Sequence, residues 1–253
     1  MNTQPVPIVE LINVKKRYGH VEVLKGVTCR MYKGQITALV GDNGAGKSTL
    51  IKIICGAHQA DTGELIFDGR PTRWKSPEEA RRNGIETVYQ DLALVDSMSI
   101  ARNFFLAKEP LKNSLLGILD QEKMGRDALE AVRTLGINLT DPNKLVSDLS
   151  GGERKSIAIA RSLYFKPKLL ILDEPTAALS IRESRIVLEH VQAVKNMGIS
   201  VIFIGHNIHH VYPIADRCIV LDRGQIIGDV EKNQVTVDDV INAIVTGREL
   251  TPR

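Results

Sequence analysis

The segment "LVGDNGAGKSTL", residues 39–50, constrains the fold of this chain more than any other feature. A short apolar run leads into a glycine-rich loop, and Lys47, two hydroxyl residues and an apolar helix start follow it. The spacing Gly41-x-x-x-x-Gly46-Lys47-Ser48 is the P-loop pattern, in which small residues let backbone N–H groups turn inward around phosphate oxygens. The alternative interpretation is a glycine-rich turn with a chance lysine.

The sequence on either side of the loop favours the phosphate site over that alternative. Residues 35–40 predict a strand and residues 48–55 a helix that ends at Gly56, which is the context a P-loop requires. The helix would point its positive end at the phosphates, Lys47 would reach the β- and γ-phosphates, and the Ser48 hydroxyl would bind Mg²⁺. The predicted nucleotide-binding residues of the loop are Gly41, Asp42, Asn43, Gly44, Ala45, Gly46, Lys47, Ser48 and Thr49.

Composition limits the classes of function. The 253 residues are 43% hydrophobic and 25% charged, enough for a sizeable core, and the net charge of +3 is spread along the chain, so we expect no nucleic-acid partner. The three separated cysteines are interpreted as small buried residues in a reducing compartment. We recognise no signal peptide and no apolar run of membrane-spanning length. About eight residues follow Val245, so we expect no regulatory domain there.

A second motif, "LLILDEP", places two carboxylates at the end of an apolar run. Such a run suits a strand that is covered on both faces, and its carboxyl end would lie beside the P-loop in one sheet. Asp173 would then hold Mg²⁺ opposite Ser48, and Glu174 would polarise a water in line with the γ-phosphate. The alternative is a pair of solvated acids at a strand end, which a neighbouring P-loop disfavours.

The order of elements predicts an α/β fold with parallel strands around the P-loop. "KLLILDEP" and "ISVIFIG" are two buried strands, and the helix between them begins with the capping box Ser180-x-x-Glu183, so the two strands must run parallel. A hairpin turning at Arg223-Gly224 follows. The apolar side of the helix between the strands is predicted to contain Ile186, Val187, His190, Val191 and Val194.

Two further regions flank this core. Before residue 90, short alternating strands that end at glycines predict an antiparallel sheet beside the P-loop strand. Residues 91–165 are helical in character, and residues 120–135 predict a one-faced helix that stops at Gly136. The whole pattern is that of an α/β core interrupted by a helical insertion.

Three more motifs carry a resemblance to a known family. They are "VYQD" around Gln90, "LSGGE" at residues 149–153 and "IFIGHN" around His206. With the P-loop and the acidic pair, in this order and spacing, the chain resembles the ATP-binding subunit of an ATP-binding cassette (ABC) transporter over nearly its whole length. A P-loop alone indicates a nucleoside triphosphatase, whereas LSGGE between the P-loop and the acids indicates a cassette.

The resemblance implies a domain division. The chain would be a single nucleotide-binding domain, residues 1–253, with a P-loop nucleoside-triphosphatase fold. Residues 1–90 and 166–253 would form the RecA-like core with its antiparallel β-subdomain. Residues 91–165 would form the α-helical subdomain.

The resemblance also implies roles for single residues. Two cassettes would sandwich two ATP molecules head to tail, and Ser150, Gly151, Gly152 and Glu153 would contact the ATP held by the partner subunit. Tyr18 would stack on the adenine. The implied catalytic residues are Glu174, His206 and Gln90, and the implied Mg²⁺ ligands are Ser48, Gln90 and Asp173.

Some of these motifs also have simpler structural interpretations, and three positions of the chain differ from the family pattern. The LSGGE segment also fits a serine that caps an ordinary helix, and His206 also fits a structural histidine at a strand end. The cluster "HNIHH" is interpreted as a solvated helix start rather than a metal site. Ser180 stands where the family commonly has aspartate, Glu153 where many members have glutamine, and Asn207 where an acid is common.

Residues 86–110 contain more apolar side chains than a small helical insertion needs, and we interpret part of them as an exposed groove for a helix of a partner. The resemblance implies that this helix belongs to a membrane subunit. The residues concerned are Leu92, Leu94, Met98, Ile100, Phe104, Phe105 and Leu106.

The sequences of this region, of "PTAALS" and of "GHNIHHV" are similar to those of ATPases from bacterial importers of pentoses and hexoses. The resemblance implies an ATP-hydrolysing subunit that uses ATP and Mg²⁺, pairs as a homodimer, and joins integral-membrane permease subunits and, through them, an external sugar-binding protein. It would lie at the cytoplasmic face of the inner membrane. The alternatives are another cargo (amino acids, peptides or metal chelates), a non-transport cassette acting on DNA or ribosomes, and a module that senses ATP without hydrolysing it.

Overall fold

The computed structural model describes residues 6–113 and 116–252, so the predicted domain limits at 1 and 253 lie outside the described residues. The strands, in chain order, are β1 (Pro7–Tyr18), β2 (Val21–Tyr32), β3 (Ile36–Val40), β4 (Thr62–Phe67), β5 (Arg70–Thr72), β6 (Ile85–Val88), β7 (Leu111–Asn113), β8 (Ile118–Leu119), β9 (Leu169–Asp173), β10 (Ser200–Ile204), β11 (Arg217–Asp222) and β12 (Gln225–Glu231). The α-helices are α1 (Lys47–Ile54), α2 (Pro77–Arg82), α3 (Ile100–Phe104), α4 (Gln121–Thr134), α5 (Gly151–Leu163), α6 (Ile181–Asn196), α7 (Ile208–Val211) and α8 (Val237–Thr246).

A six-stranded mixed sheet forms the centre, in the order β12-β11-β3-β10-β9-β6. All its strand pairs are parallel except that of β11 with β12, which is the predicted hairpin. Strands β9 and β10 are neighbours and α6 joins them, so the predicted strand–helix–strand unit is confirmed. Because parallel strands end at a common edge, the segments that follow β3, β6, β9 and β10 meet there.

Alternate residues of the central strands face two separate cores. Leu169 and Ile171 pack with α1 and the antiparallel sheet, whereas Leu170 and Leu172 pack with the helices on the opposite side. A side-chain period of two along a strand requires this division when both faces are covered, and it explains why these strands are continuously apolar.

The predicted antiparallel sheet is present, with the order β2-β1-β4-β5. Its buried face and the apolar side of α1 form one core with the near side of the central sheet. Cys29 and Cys55 belong to this core, Cys218 belongs to the other, and all three are free thiols as interpreted from the sequence. In the part of the chain that the structure describes, no helix is both long and apolar enough to cross a bilayer.

The groove predicted in part of residues 86–110 is wrong for Ile100, Phe104 and Phe105, whereas Leu92, Leu94 and Met98 are partly exposed. Ile100, Phe104 and Phe105 are buried in the core between α3, α4 and α5, and Leu92 and Leu94 pack against the same core. The apolar residues that looked surplus in the sequence are needed because three short helices share one interior. Leu106 alone among the predicted residues is strongly exposed, at 42%.

Two smaller expectations also need correction. Ile186 lies at the margin of the buried side of α6 and is exposed, while the other four residues predicted for that side are buried or half-buried. The insertion is not entirely helical, because β7 and β8 form a two-stranded ribbon ahead of α4. The helix predicted at residues 120–135 is present as α4.

Asp68 connects the two sheets electrostatically. It lies in the turn between β4 and β5, and its carboxylate accepts from Lys168 Nζ at 2.7 Å and pairs with Lys33 Nζ at 2.5 Å. Lys168 directly precedes β9, so the turn of the antiparallel sheet is tied to the central sheet. The hydrogen bonds from Lys168 and Lys33 lower the pKa of Asp68 to about 2.

We predict that Asp68→Asn lowers the free energy of unfolding at pH 7 by about 0.5–1 kcal/mol, since both lysines are half-exposed and the pairs are screened by solvent. An unfolded aspartate titrates near pH 4, so the pairs contribute fully above that pH and are lost as pH falls towards 2. Urea unfolding of both proteins at pH 7, 4 and 2 tests this. A difference that grows on acidification would contradict it.

Candidate functional site

The loop between β3 and α1 can be built only with glycine at two places. Gly41 has φ +150°, and a Cβ there would lie 2.1 Å from the carbonyl O of Leu221. Gly46, the residue before α1, has φ +108°, and a Cβ there would lie 2.9 Å from Leu24 Cδ2. The β11–β12 turn braces the loop, because the Gly224 N–H donates to Ala45 O at 2.9 Å. The conformation of the loop is therefore fixed by its close approach to the strands and the turn that surround it.

Lys47 lies inside this loop and is only 7% exposed. Its Nζ donates to the carbonyl O atoms of Gly41 and Asp42, at 2.8 and 2.9 Å. Burial lowers the pKa of the ammonium, and the negative charges of Glu174, Asp42 and Asp173 oppose that shift. The charge is therefore concentrated in the cradle, where an anionic ligand would compensate its desolvation.

A cleft of about 340 Å³ opens over the loop. It brings six of the nine predicted P-loop residues and both predicted acids to one surface, whereas Gly41, Asp42 and Ala45 do not line it. The residues that line it are Val23, Asn43, Gly44, Gly46, Lys47, Ser48, Thr49, Asp173, Glu174 and Ile204.

The two acids come to this cleft from the end of β9. Asp173 is the last residue of the strand and pairs in register with Ile204, and burial together with the charge of Glu174 raises its pKa. Glu174 has φ +47°, a left-handed conformation that is uncommon for a residue with a side chain. Its N–H donates to Ile204 O at 3.0 Å, which holds the turn against β10. Strain of this kind is often retained at functional sites.

His206 and Gln90 reach the same sheet edge by different routes. His206 follows β10, and its Nδ1 lies 3.2 Å from Glu174 Oε1, so the structure brings these two predicted residues together. Gln90 follows β6, whose Val88 is in register with Leu172 of β9. Gln90 is exposed and does not line the cleft.

Tyr18 lies beside the cleft rather than in it. It ends β1, is 42% exposed, and pairs with Val21 at the start of the strand that carries Val23 into the cleft. Its ring meets that of His58 edge-on at 5.7 Å, and Lys16 Nζ lies 5.5 Å from its centre. Tyr18 is thus partly exposed on the strand pair that leads to the cleft.

The LSGGE segment begins α5. The Ser150 Oγ accepts from the Glu153 N–H at 3.2 Å, and the Glu153 carboxylate accepts from the Ser150 N–H at 2.8 Å. This reciprocal cap explains why glutamate is suitable at position 153. None of residues 150–153 lines the cleft of its own chain.

Comparisons with known proteins agree with this geometry. The family model described as "ABC transporter" matches residues 24–177. The chain is 44% identical over 239 residues to the xylose/arabinose import ATP-binding protein of Sulfolobus acidocaldarius, with 94% of each chain covered. It is 41% identical over 252 residues to the fructose import ATP-binding protein of Rhizobium meliloti, covering 98% of this chain and 96% of that one.

The chain belongs to the ABC transporter family. It is an ATP-binding and ATP-hydrolysing cassette. A ribose import ATP-binding protein of Caldanaerobacter subterraneus is 37% identical over 96% of this chain, and the cassette spans about half, 48%, of that relative.

Solved cassettes share the fold. A nucleotide-free ATP-binding cassette from an ABC transporter has a TM-score of 0.82 at 27% identity, with 97% of each chain covered. A dimeric cassette in a post-hydrolysis state with ADP and Pi has a TM-score of 0.74 at 26% identity, covering 88% of this chain and 98% of that one. The predicted α/β fold with a helical insertion is therefore confirmed.

Several contacts around the cassette's site escape sequence reasoning. Arg161 of α5 donates to the carbonyl O atoms of Leu92 and Ala93, at 2.9 and 3.0 Å, and so fixes the segment after Gln90. Tyr89 places its hydroxyl 3.5 Å from Cys55 Sγ, which joins the residue before Gln90 to the end of α1. Neither the arginine in its helix nor the tyrosine after its strand indicates in the sequence which distant residue it contacts.

Glu183 is another residue that the sequence explains only in part. Its carboxylate accepts from the Ser180 N–H and hydroxyl, at 3.1 and 2.8 Å, as the capping box predicts. It also accepts from the Gly152 N–H at 3.2 Å. Ser180, which stands where the family commonly has aspartate, therefore caps a turn that is hydrogen-bonded to the start of α5. Asn207 is likewise a cap, since its Oδ1 accepts from the His209 N–H at 3.2 Å.

We predict that Gly41→Ala lowers the free energy of unfolding by about 3 kcal/mol or more, because the new Cβ would strike the Leu221 carbonyl in addition to the backbone strain. Gly44→Ala is the matched control, with φ +80° but nothing within 4 Å of its Cβ, and we expect it to lose about 1 kcal/mol. Urea unfolding measures both losses. Equal losses would contradict the close-approach explanation.

Proposed function

We propose that this cassette powers the import of a monosaccharide, a pentose or a hexose. The observation that carries the proposal is that this chain aligns over nearly its whole length with two proteins named for the import of xylose/arabinose and of fructose, at 44% and 41% identity. The assembled cleft supports the ATPase part of the proposal, since six P-loop residues line one surface with Asp173 and Glu174.

The donor set of the cleft suits ATP with Mg²⁺. The glycine-built cradle and the desolvated Lys47 ammonium favour phosphate oxygens, and the Lys47 Nζ would exchange its two carbonyl acceptors for them. The Ser48 hydroxyl and the Asp173 carboxylate are oxygen ligands of the kind Mg²⁺ prefers, and Gln90 would join them from the end of β6. When bound, Mg²⁺ would neutralise charge on the β- and γ-phosphates.

Glu174 is the proposed general base. Its carboxylate lines the cleft next to the P-loop, where it would accept a proton from the attacking water. His206, 3.2 Å from Glu174 Oε1, would hold that carboxylate in orientation and reach the γ-phosphate from the sheet edge. Lys47 would stabilise the charge that develops on the phosphate. Tyr18 would stack on the adenine beside the cleft.

Residues 150–153 are proposed to complete the site of a second copy. They offer a capped helix start and lie outside their own cleft, so a head-to-tail pair would bring each LSGGE segment to its partner's nucleotide. The dimeric state of a structural neighbour supports this arrangement. ATP would close the pair, and hydrolysis with product release would reopen it.

The proposed partners are integral-membrane permease subunits and, through them, an external sugar-binding protein. The cassette would lie at the cytoplasmic face of the inner membrane. Within it, residues 1–90 and 166–253 would act as the core with the antiparallel β-subdomain, and residues 91–165 as the subdomain that meets the permease.

We predict that Glu174→Gln still binds ATP but hydrolyses it about 10²–10⁴-fold more slowly, because the amide cannot take the proton of the attacking water. ATP affinity is measured by equilibrium binding, and hydrolysis by phosphate release in single-turnover conditions. Glu130→Gln, an exposed residue of α4, is the matched control and should change neither quantity. Hydrolysis by Glu174→Gln near the parental rate would remove Glu174 from this role.

We predict that the tagged cassette, purified from detergent-solubilised membranes of its host, recovers a permease and a binding protein that takes a monosaccharide. The recovered binding protein is screened by calorimetry against pentoses, hexoses, amino acids and peptides. Tight binding of an amino acid or peptide would contradict sugar import but not transport. Recovery of ribosomal or DNA-associated proteins without a permease would contradict transport itself.

A further inference from the structure

Lys155 of α5 is a buried cation that the proposed mechanism does not use. It is 8% exposed, and its Nζ donates to the carbonyl O of Glu174 at 3.0 Å. Burial lowers its pKa, and the negative charge of Glu174 opposes that shift. Within residues 6–113 and 116–252 this is the one hydrogen bond of its side chain, and no carboxylate there forms an ion pair with it. A buried ammonium without an ion pair destabilises a fold, so stability does not explain it.

The carbonyl that Lys155 contacts does not need it as a donor. The same Glu174 O already accepts from the Ala177 N–H at 3.1 Å, and the Glu174 N–H donates to Ile204 O. What Lys155 adds is a third restraint on a residue whose φ of +47° must be imposed by its surroundings. It also places a positive charge beside the peptide that carries the carboxylate.

The turn of α5 that carries Lys155 is itself held firmly on α6. The Gly152 N–H donates to Glu183, and the Gly152 carbonyl accepts from the Ser156 Oγ at 2.9 Å. Since that hydroxyl donates its only proton to Gly152, it accepts from His190 Nδ1, 3.0 Å away. The first turn of α5 therefore forms a rigid support between the LSGGE segment and Glu174.

We propose that Lys155 is a positioning residue that holds the backbone of Glu174 so that its carboxylate faces the cleft. The proposal rests on the proposed role of Glu174 as the general base. Because Lys155 lies on the helix that LSGGE begins, it joins that segment to the base within one chain. The nucleotide held by a partner cassette would contact the start of α5 and displace it, and Lys155 would pass that displacement to Glu174. Closure of the cassette dimer would in this way be coupled to hydrolysis.

The test is Lys155→Met, which keeps the length of the side chain and removes its charge and donors. We expect kcat for ATP hydrolysis to fall about tenfold or more, because small displacements of a catalytic group are costly. ATP affinity and KM should stay at the parental values, since Lys155 does not line the cleft and its side chain bonds to the Glu174 carbonyl rather than to the P-loop. The urea midpoint should be unchanged or higher, since an unpaired buried cation is removed.

Ser162→Ala is the matched control, as it removes a buried hydroxyl bonded to Ile159 O farther along the same helix. We expect it to leave kcat unchanged. The double variant Lys155→Met with Glu174→Gln should be no slower than Glu174→Gln alone, because the lysine acts through the glutamate. If Lys155→Met does not fold, Lys155→Gln is measured in the same way.

Parental kcat in Lys155→Met, or losses in the double variant that multiply, would overturn the inference while leaving Glu174 as the base. A fall in kcat that is matched by a fall in the urea midpoint would also overturn it, since that is the behaviour of a purely structural residue. Full hydrolysis by Glu174→Gln would instead refute the proposed function on which the inference rests.

Discussion

The parallel pairing of β3, β10 and β9 is the constraint on which the rest of the cassette depends. Leu39 is in register with Ile204, and Ile204 with Asp173, so the P-loop and the acidic pair must begin at the same level of one sheet edge. The hydrogen bonds between the parallel strands fix the separation of the P-loop from the acidic pair. Both faces of this sheet are covered, which makes a slip of register costly and the geometry rigid.

Around that edge, the cassette relies on polar groups that are buried or partly buried and have defined partners. Lys47 closes the loop on its own carbonyls, and Lys155 bonds to the turn at Glu174. Glu183 joins the start of α6 to the start of α5. Two of these contacts link segments that are far apart in the chain, Lys155 to Glu174 and Glu183 to Gly152, and they join the end of β9 and the start of α6 to the start of α5. Charge kept inside a fold is expensive, and its concentration here points to function more than to stability.

Much of the fold and of the site could be predicted because the signals are local. The glycines of the P-loop, the helix cap at Ser150, the capping box at Ser180 and the apolar runs of the buried strands each depend on a few neighbouring residues. The predictions that were wrong required knowledge of distant partners. Ile100, Phe104 and Phe105 looked like a groove because nothing in the sequence says that α4 and α5 cover them. The contacts of Arg161 and Tyr89 were missed for the same reason.

The sequence by itself determined that this chain builds a glycine-rich loop between a strand and a helix and brings two acids to the same sheet edge, since the motif spacings and the strand–helix–strand order admit few other folds. Only the tertiary structure decided which side chains support those groups. It places Lys155 against the Glu174 carbonyl, 19 positions away, and Glu183 against Gly152, 31 positions away. The reason is physical: periodicity and turn chemistry act over a few residues, whereas these contacts exist only after α5 and α6 have packed against the sheet and against each other.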